Sequence, residues 1–186
     1  MLIIIDDVVG NSTFETDCLD ILESNKKNTN EINFWEKWYS LDEEHVFQDF
    51  CVQMINVAGN FFDLNSCIGY EFWSQNNTRP KDWHIDKDEQ MKANTGQTRF
   101  PLCSVVYYVK VDKLKGGKLH VEDDIVTPKS NRMVIFSPKL NHCVEPHMGE
   151  RIVLCVNPWS VKLWYMILYQ FTIIHSLLMS VKSTLI

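Results

Sequence analysis

The first third of the chain alternates between strand-like and helix-like apolar patterns. Residues 2–8 are rich in isoleucine and valine, which predicts a buried strand. Behind them, Phe14, Cys18, Leu19 and Leu22 recur at the spacing of one helical face. A strand followed by an amphipathic helix is therefore predicted at the start of the chain.

A second helix is predicted further along the same section. Ser40 and Glu43 have the spacing of a capping box, in which two side chains satisfy free backbone N–H groups where a helix begins. The apolar residues behind them recur at helical spacing, and Gly59 is a suitable residue to end the helix. Residues 1–65 are therefore expected to form a helical N-terminal support.

From residue 66 the apolar pattern changes to one of short strands, separated by turn signals such as "KGG" and "HMGE". The apolar runs are "CIGYEFW", "DWHID", "PLCSVVYYVK", "KLHV", "RMVIF", "HCVE" and "RIVLCVN". Several short strands behind a helical section predict a fold that is mainly β with supporting helices, an antiparallel sandwich or barrel. A single domain is expected over residues 1–159, with its β core over residues 66–159.

The C-terminal tail, residues 160–186, has a different character. Residues 163–181 carry no charged side chain and approach the length of a membrane span. Gln170, Thr172 and His175 dilute the hydrophobicity of this segment. An element that packs on the domain is favoured over a membrane anchor, and the status of the tail stays open.

Composition and charge narrow the class of protein. The net charge is −6 and no basic stripe stands out, so binding to nucleic acid through its phosphates is not expected. The six cysteines contain no C-x-x-C pair, and most lie in apolar runs, which predicts buried, reduced thiols in a cytoplasmic protein. The apolar N-terminus lacks the basic region with which a signal peptide begins, so a signal peptide is not expected.

A histidine and a carboxylate two positions apart provide the first candidate chemistry. In a strand, His84 and Asp86 would point to one face, about 6.5–7 Å apart along the backbone. His142, from a distant strand, is the best candidate for a third metal ligand, and His147 in the predicted turn "PHMGE" is its rival. Two histidines and one carboxylate are typical of non-haem Fe(II) sites, although zinc would accept the same ligands.

Arg151 is the second candidate functional residue. It opens a strand that is otherwise apolar, where a guanidinium is costly to bury without an anionic partner. A carboxylate matches its two-pronged geometry best, and Tyr108 or the adjacent Tyr107 could donate a hydroxyl to the same carboxylate. The residues that would share the faces of Tyr108 and Arg151 are Ser104 and Val106 on one strand and Val153, Cys155 and Asn157 on the other.

These motifs, taken in order, resemble a known family. The H-x-D triplet is followed by "YYVK", "GGKL", "NRMVIFSPKLNH" and "HMGERIVL" at compatible spacings. The chain resembles the 2-oxoglutarate/Fe(II)-dependent dioxygenases over roughly residues 2–159 and is most similar to their prolyl-hydroxylase-like branch, the catalytic domain of the prolyl 4-hydroxylase alpha subunit. The resemblance implies a double-stranded β-helix, or jelly-roll, core.

The resemblance also implies a ligand set and an activity. His84, Asp86 and His142 would hold Fe(II), and Arg151 with Tyr108 would bind 2-oxoglutarate. O2 would be the other cosubstrate, and ascorbate is a further candidate cofactor. The expected reaction hydroxylates a carbon centre of a prolyl, other peptidyl or small-molecule substrate, and 2-oxoglutarate is decarboxylated to succinate.

Two alternatives to this activity stay open. One is a cupin-like binding module without turnover, and the other is a cupin metalloenzyme that does not use 2-oxoglutarate. The polar loop over residues 87–100 is longer than compact relatives would require and is a candidate cover for the substrate.

Overall fold

The computed structural model describes residues 1–10, 13–28, 37–75 and 80–163. The helices are α1 (Phe14–Asn28), α2 (Gln48–Ala58) and α3 (Glu89–Thr95). The strands are β1 (Leu2–Asp6), β2 (Lys37–Ser40), β3 (Gly69–Gln75), β4 (Lys81–His84), β5 (Ser104–Gly116), β6 (Leu119–Val121), β7 (Asp124–Val126), β8 (Arg132–Phe136), β9 (His142–Val144) and β10 (His147–Trp159).

The strands form two antiparallel sheets. The larger sheet has the order β1-β8-β5-β10-β3-β2, and the smaller has the order β4-β9-β6-β7. This architecture confirms the predicted fold class, a β-rich jelly-roll with supporting helices. The section over residues 1–65 contributes the two edge strands of the larger sheet as well as two helices.

Residues 104–109 of β5, 133–136 of β8 and 151–159 of β10 are buried at nearly every position, on both faces of the sheet, which explains their nearly continuous apolar runs. Leu154 of β10 and Tyr107 of β5 pack in the core beneath α1 and α2, together with Phe50 and Met54. Their chain neighbours Val153 and Tyr108 point the other way, into a second core that includes side chains of the smaller sheet. The alternation of side chains along a strand therefore separates a supporting core from an inner core.

The predicted burial of the first strand is wrong. β1 lies at the edge of the larger sheet, where it pairs with β8 and with no other strand of the described residues. Its residues are half-buried or exposed, and Ile4 has 46% of its surface exposed. An apolar run does not distinguish a central strand from an edge strand, because that depends on pairing with distant residues.

The predicted capping box is also wrong. Ser40 is the last residue of β2, and its hydroxyl donates to Asp42 Oδ1 at 2.6 Å rather than capping a helix. α2 begins later, at Gln48, and its N-cap residue Phe47 makes no side-chain capping bond. The predicted end of this helix is confirmed, since Gly59 is its C-cap residue.

The segment "HMGE" is a bulge inside a strand rather than a turn between strands. β10 runs from His147 to Trp159, and the pairing with β5 shifts between Met148 and Glu150. Gly149 lies in this irregularity with a φ of 94°, which favours glycine. As a result Arg151 lies within a long strand, opposite Val111 of β5, instead of at the beginning of one.

The apolar segment 163–181 lies outside the described residues apart from Leu163, which packs with Trp38 and Trp159. Among the described residues, no helix has the length and apolar character to cross a membrane.

Candidate metal centre

Pairing between two strands of the smaller sheet brings two histidines side by side. His84 ends β4, His142 begins β9, and the two residues are partners in the antiparallel register. Their ring centroids lie 4.1 Å apart. Asp86 follows the end of β4, and its backbone N–H donates to the carbonyl of Pro138 at 3.1 Å. The strand pairing and this bond direct all three side chains to one point.

The three predicted ligands form one cluster. Asp86 Oδ1 lies 3.8 Å from His84 Nε2 and 3.6 Å from His142 Nε2. One ligand atom from each residue lies within 4.8 Å of the other two. His84 is therefore near Asp86 as expected, although Asp86 lies beyond the strand that was expected to contain both.

Backbone carbonyls fix the orientation of both imidazole rings. Asp82 O lies 2.6 Å from His84 Nδ1, and Leu140 O lies 3.0 Å from His142 Nδ1. A carbonyl only accepts a hydrogen bond, so each Nδ1 carries a proton, and in the neutral form of each ring Nε2 is the nitrogen with the lone pair. This tautomer is the one that binds a metal through Nε2.

The environment of His84 suits a bound cation. Its Nε2 is buried and has no hydrogen-bond partner among the described residues. Burial, followed by the nearby charge of Lys81, lowers the pKa of His84 to about 4, so the imidazole is neutral at physiological pH. Neutral imidazole and carboxylate are the forms that bind Fe(II), and the donor set fits this metal.

Two side chains that were not expected to be functional hold the second oxygen of Asp86. The hydroxyl of Ser104 donates to Asp86 Oδ2 at 2.6 Å, and the amide of Asn157 donates to the same oxygen at 3.3 Å. Alternation along the strands predicts that Ser104 shares a face with Tyr108 and that Asn157 shares a face with Arg151. This shared position is the sequence feature that could have identified both residues as part of the site.

Arg151 and Tyr108 lie together in the inner core. Arg151 is only 4% exposed, and its Nε has no hydrogen-bond partner among the described residues. The guanidinium carbon lies 5.4 Å from the centre of the Tyr108 ring. The Tyr108 hydroxyl is also buried without a partner there, and burial raises its pKa, so it stays protonated and can donate.

A narrow inner cavity of about 30 Å³ connects the histidine cluster with Arg151. Its apolar wall includes Leu119, Phe136 and Val144. Cys155 also lines the cavity, and burial raises its pKa to about 12. Among the described residues, the group able to hold a metal does not include it. Side chains at the wall must move to admit a molecule larger than water.

The structure distinguishes the two neighbouring tyrosines. Tyr107 points toward the helices, where its ring lies 5.2 Å from that of Phe50 and its hydroxyl donates to Asn131 at 3.0 Å. Tyr108 points into the inner core, on the side of Arg151.

His147 lies outside the histidine cluster. It is the first residue of β10 and is buried close to the aliphatic part of Arg151, since both side chains approach Gly117. Among the described residues, the one group able to hold a metal contains His142 and not His147. The remaining sheet histidine, His120, is partly exposed and lies 2.7 Å from Glu145.

An open cleft of about 820 Å³ lies beside the cluster. Its walls include β4, Trp73 and residues 85–90. The polar loop that was a candidate cover contains α3, which Asp88 caps by accepting the N–H of Met91. The first residues of that loop line the cleft. A separate depression of about 900 Å³, between α2 and residues 59–67, does not include the histidine cluster.

Solved structures with a similar fold include prolyl hydroxylases. A viral collagen prolyl hydroxylase from Paramecium bursaria Chlorella virus-1, in complex with 2-oxoglutarate, is 17% identical with a TM-score of 0.55, covering 87% of this chain and 96% of that chain. A Pseudomonas putida prolyl-4-hydroxylase is 15% identical with a TM-score of 0.58, and the match covers 87% of this chain and 93% of that chain.

A third structure is a Trichoplax adhaerens prolyl hydroxylase in complex with a hypoxia-inducible-factor peptide. It is 14% identical with a TM-score of 0.58, covering 86% of this chain and 83% of that chain. At these identities the similarity establishes the shared fold. No curated protein sequence matches this chain significantly.

The sequence itself matches a family. The family model of the 2OG-Fe(II) oxygenase superfamily matches residues 72–166, which is just over half of the chain. The matched region includes the three clustered residues as well as Tyr108 and Arg151. The chain therefore belongs to the 2OG-Fe(II) oxygenase superfamily and is, as its sequence predicts, an enzyme that uses Fe(II), 2-oxoglutarate and O2.

Proposed function

We propose that this oxygenase hydroxylates a prolyl residue of a peptide or protein substrate. One observation carries the proposal: a three-ligand cluster and a buried arginine line the same cavity, which shares wall residues with an open cleft. An open cleft with β4 as one wall accommodates an extended chain segment better than a small, enclosed molecule. The prolyl hydroxylase fold, and the peptide bound to one relative with that fold, also support this substrate class.

In this proposal, His84 Nε2, Asp86 Oδ1 and His142 Nε2 are the iron ligands. Three protein ligands on one side of the ion leave further coordination positions open for cosubstrates. When bound, Fe(II) with 2-oxoglutarate and O2 supplies the oxidising chemistry that converts a C–H bond to C–OH, with release of succinate and CO2. The chain's own task is to hold these groups in the correct arrangement.

Arg151 and Tyr108 are proposed to bind the distal carboxylate of 2-oxoglutarate. The guanidinium offers two parallel N–H donors and a compensating charge, and the neutral phenol adds a third donor. Both groups are buried with polar atoms that lack partners among the described residues. A carboxylate at this position would satisfy them, and the oxoacid end would then point into the same cavity, which His84, Asp86 and His142 also line.

The apolar wall of the cavity is proposed to exclude water from the reaction. Leu119, Phe136 and Val144 line the cavity together with Arg151 and the cluster, and their side chains offer no hydrogen-bonding groups to solvent. A site without loosely held water strengthens the charge interaction at Arg151 and reduces competing reactions.

A hydroxylation assay tests this function directly. Purified chain with Fe(II), 2-oxoglutarate and a panel of proline-containing peptides should add one oxygen atom to a prolyl residue and form one succinate per hydroxylation. Asp86→Ala is the inactive control. Peptide-dependent oxidation at another residue type would overturn the prolyl assignment and leave the oxygenase intact. Turnover of small molecules but of no peptide would overturn the peptide assignment.

A further inference from the structure

The two oxygens of the Asp86 carboxylate have different surroundings. Oδ1 faces the two imidazole nitrogens, at 3.8 Å and 3.6 Å. Oδ2 accepts hydrogen bonds from the Ser104 hydroxyl at 2.6 Å and from the Asn157 amide at 3.3 Å. One oxygen is therefore available to a metal, and the other is engaged by protein donors.

Both donors are deeply buried and belong to the other sheet. Ser104 is 1% exposed and Asn157 is 3% exposed. They lie on β5 and β10, next to the paired residues Val105 and Val156, so they approach Asp86 from adjacent strands of the larger sheet. Asp86 follows β4 of the smaller sheet. The two hydrogen bonds therefore join the sheets at the cluster.

We propose that Ser104 and Asn157 restrict Asp86 to binding the metal through Oδ1 alone. A free carboxylate can coordinate through one or both oxygens. Two buried donors on Oδ2 occupy its lone pairs and fix the plane of the carboxylate, which disfavours a second bond to the ion. This inference rests on the proposed assignment of Asp86 as a metal ligand.

The consequence is an additional open coordination position. A carboxylate that binds through both oxygens would occupy a position that the chelating oxoacid or O2 requires. Ser104 and Asn157 thus act as positioning residues: they act on the metal only through Asp86 and need not touch either cosubstrate. Partners of this kind at other metal sites typically change metal affinity by about 10- to 100-fold when they are removed.

Mn(II) is a suitable probe, because its affinity and its number of coordinated waters can both be measured by water-proton relaxation without turnover. Ser104→Ala removes the hydroxyl without adding a possible metal ligand, and Asn157→Leu removes the amide. We expect the combined variant to bind Mn(II) about 10- to 100-fold more weakly and to retain fewer coordinated waters than the unaltered chain. The single variant Ser104→Thr keeps the hydroxyl. Its Mn(II) affinity and its number of coordinated waters should match those of the unaltered chain.

Ser130→Ala is the matched control. The Ser130 hydroxyl accepts the N–H of Val111 at 2.8 Å, away from the cluster, so the control removes one serine hydrogen bond without touching Asp86. It should leave Mn(II) affinity and hydration unchanged. Should the combined variant fail to fold, Ser104→Ala alone carries the test, with a smaller change in the same direction.

Each outcome has a distinct meaning. Unchanged Mn(II) affinity and hydration in the variants would overturn the positioning role and leave the proposed oxygenase site intact. Weaker binding with an unchanged number of waters would overturn the claim that these residues keep a position open. Failure of the unaltered chain to bind Mn(II), or equal binding by Asp86→Ala, would overturn the proposed metal site and this inference with it.

Discussion

The guanidinium carbon of Arg151 lies 5.4 Å from the centre of the Tyr108 ring, in the core between the two sheets. Arg151 Nε and the Tyr108 hydroxyl are both buried without a hydrogen-bond partner among the described residues. Burying a cation and a polar hydroxyl in this way costs free energy unless a ligand compensates. A bound carboxylate would satisfy both groups, and the described part of the chain supplies no hydrogen-bond partner for either atom.

Replacing Arg151 by glutamine should weaken 2-oxoglutarate binding. A hydrogen bond to a charged group contributes about 1.5–3 kcal/mol, so the dissociation constant should rise roughly 10- to 100-fold. Calorimetric titration of Mn(II)-loaded protein with 2-oxoglutarate measures the change. The affinity of Arg151→Lys for 2-oxoglutarate should lie between those of the unaltered chain and Arg151→Gln, because lysine keeps the charge and loses the two-pronged geometry. Equal oxoacid affinity in all three proteins would place the carboxylate anchor elsewhere.

Tyr108→Phe should also weaken 2-oxoglutarate binding, but by less. A neutral hydrogen bond contributes about 0.5–1.5 kcal/mol, which corresponds to roughly 3- to 10-fold in affinity. Tyr107→Phe is the matched control, since that hydroxyl donates to Asn131 on the helical side. The control should lower the free energy of unfolding by about 1 kcal/mol and leave oxoacid affinity unchanged. If Tyr107→Phe changed the affinity instead, the roles of the two tyrosines would be reversed.

Gly117→Ala should disturb the Arg151 anchor through packing. A Cβ at Gly117 would lie 3.1 Å from His147 Cβ and 3.3 Å from Arg151 Cδ, and the residue has a φ of 72°. Gly96→Ala is the matched control, because Gly96 has a φ of 74° and no atom lies within 4 Å of its Cβ position. Both variants should lose roughly 1–2 kcal/mol of stability through backbone strain. Only Gly117→Ala should also weaken 2-oxoglutarate binding. Equal affinities of the two variants for 2-oxoglutarate would show that a Cβ at position 117 does not disturb Arg151.

His147 should make stability depend on pH. Burial, followed by the charge of Arg151, lowers the pKa of His147 below its usual value of 6.5. The unfolded chain therefore takes up a proton near pH 6.5 while the folded chain does not. The free energy of unfolding is therefore highest, as far as His147 is concerned, above pH 6.5. It decreases as the pH falls from 6.5 toward the lower pKa of the folded state.

The slope from this residue should reach at most about 1.4 kcal/mol per pH unit. His147→Asn should flatten the pH dependence of the free energy of unfolding below pH 6.5, measured by urea denaturation of metal-free protein. Its Mn(II) affinity should match that of the unaltered chain, because His142 is the proposed ligand. An identical pH profile in both proteins would show that His147 does not titrate as described.

The positions of the principal side chains could be predicted because they depend on local patterns. His84 and Asp86 are two residues apart, and alternation along β10 correctly placed Val153, Cys155 and Asn157 on the side of Arg151. The ends of elements were less predictable. The Ser40–Glu43 spacing suits a capping box, but Ser40 pairs with Gly69 in the sheet, and tertiary pairing overrides a local preference.

Features that depend on strand register could not be predicted. The hydrogen bonds of Ser104 and Asn157 to Asp86 join residues 18 and 71 positions apart, from different sheets. Gly149 is a turn residue by composition, and its role as a bulge follows only from the pairing of β10 with β5. The strand β7 was also not predicted, because its acidic start and three-residue length carry little apolar pattern.

Anaerobic titration of the Fe(II)-loaded chain with 2-oxoglutarate tests the central claim most directly. Chelation of iron by the oxoacid gives a weak visible charge-transfer band. We predict that the band appears with the unaltered chain and is absent from His142→Ala under the same conditions. A well-folded, iron-loaded chain that gives no band at saturating 2-oxoglutarate would contradict the proposed site.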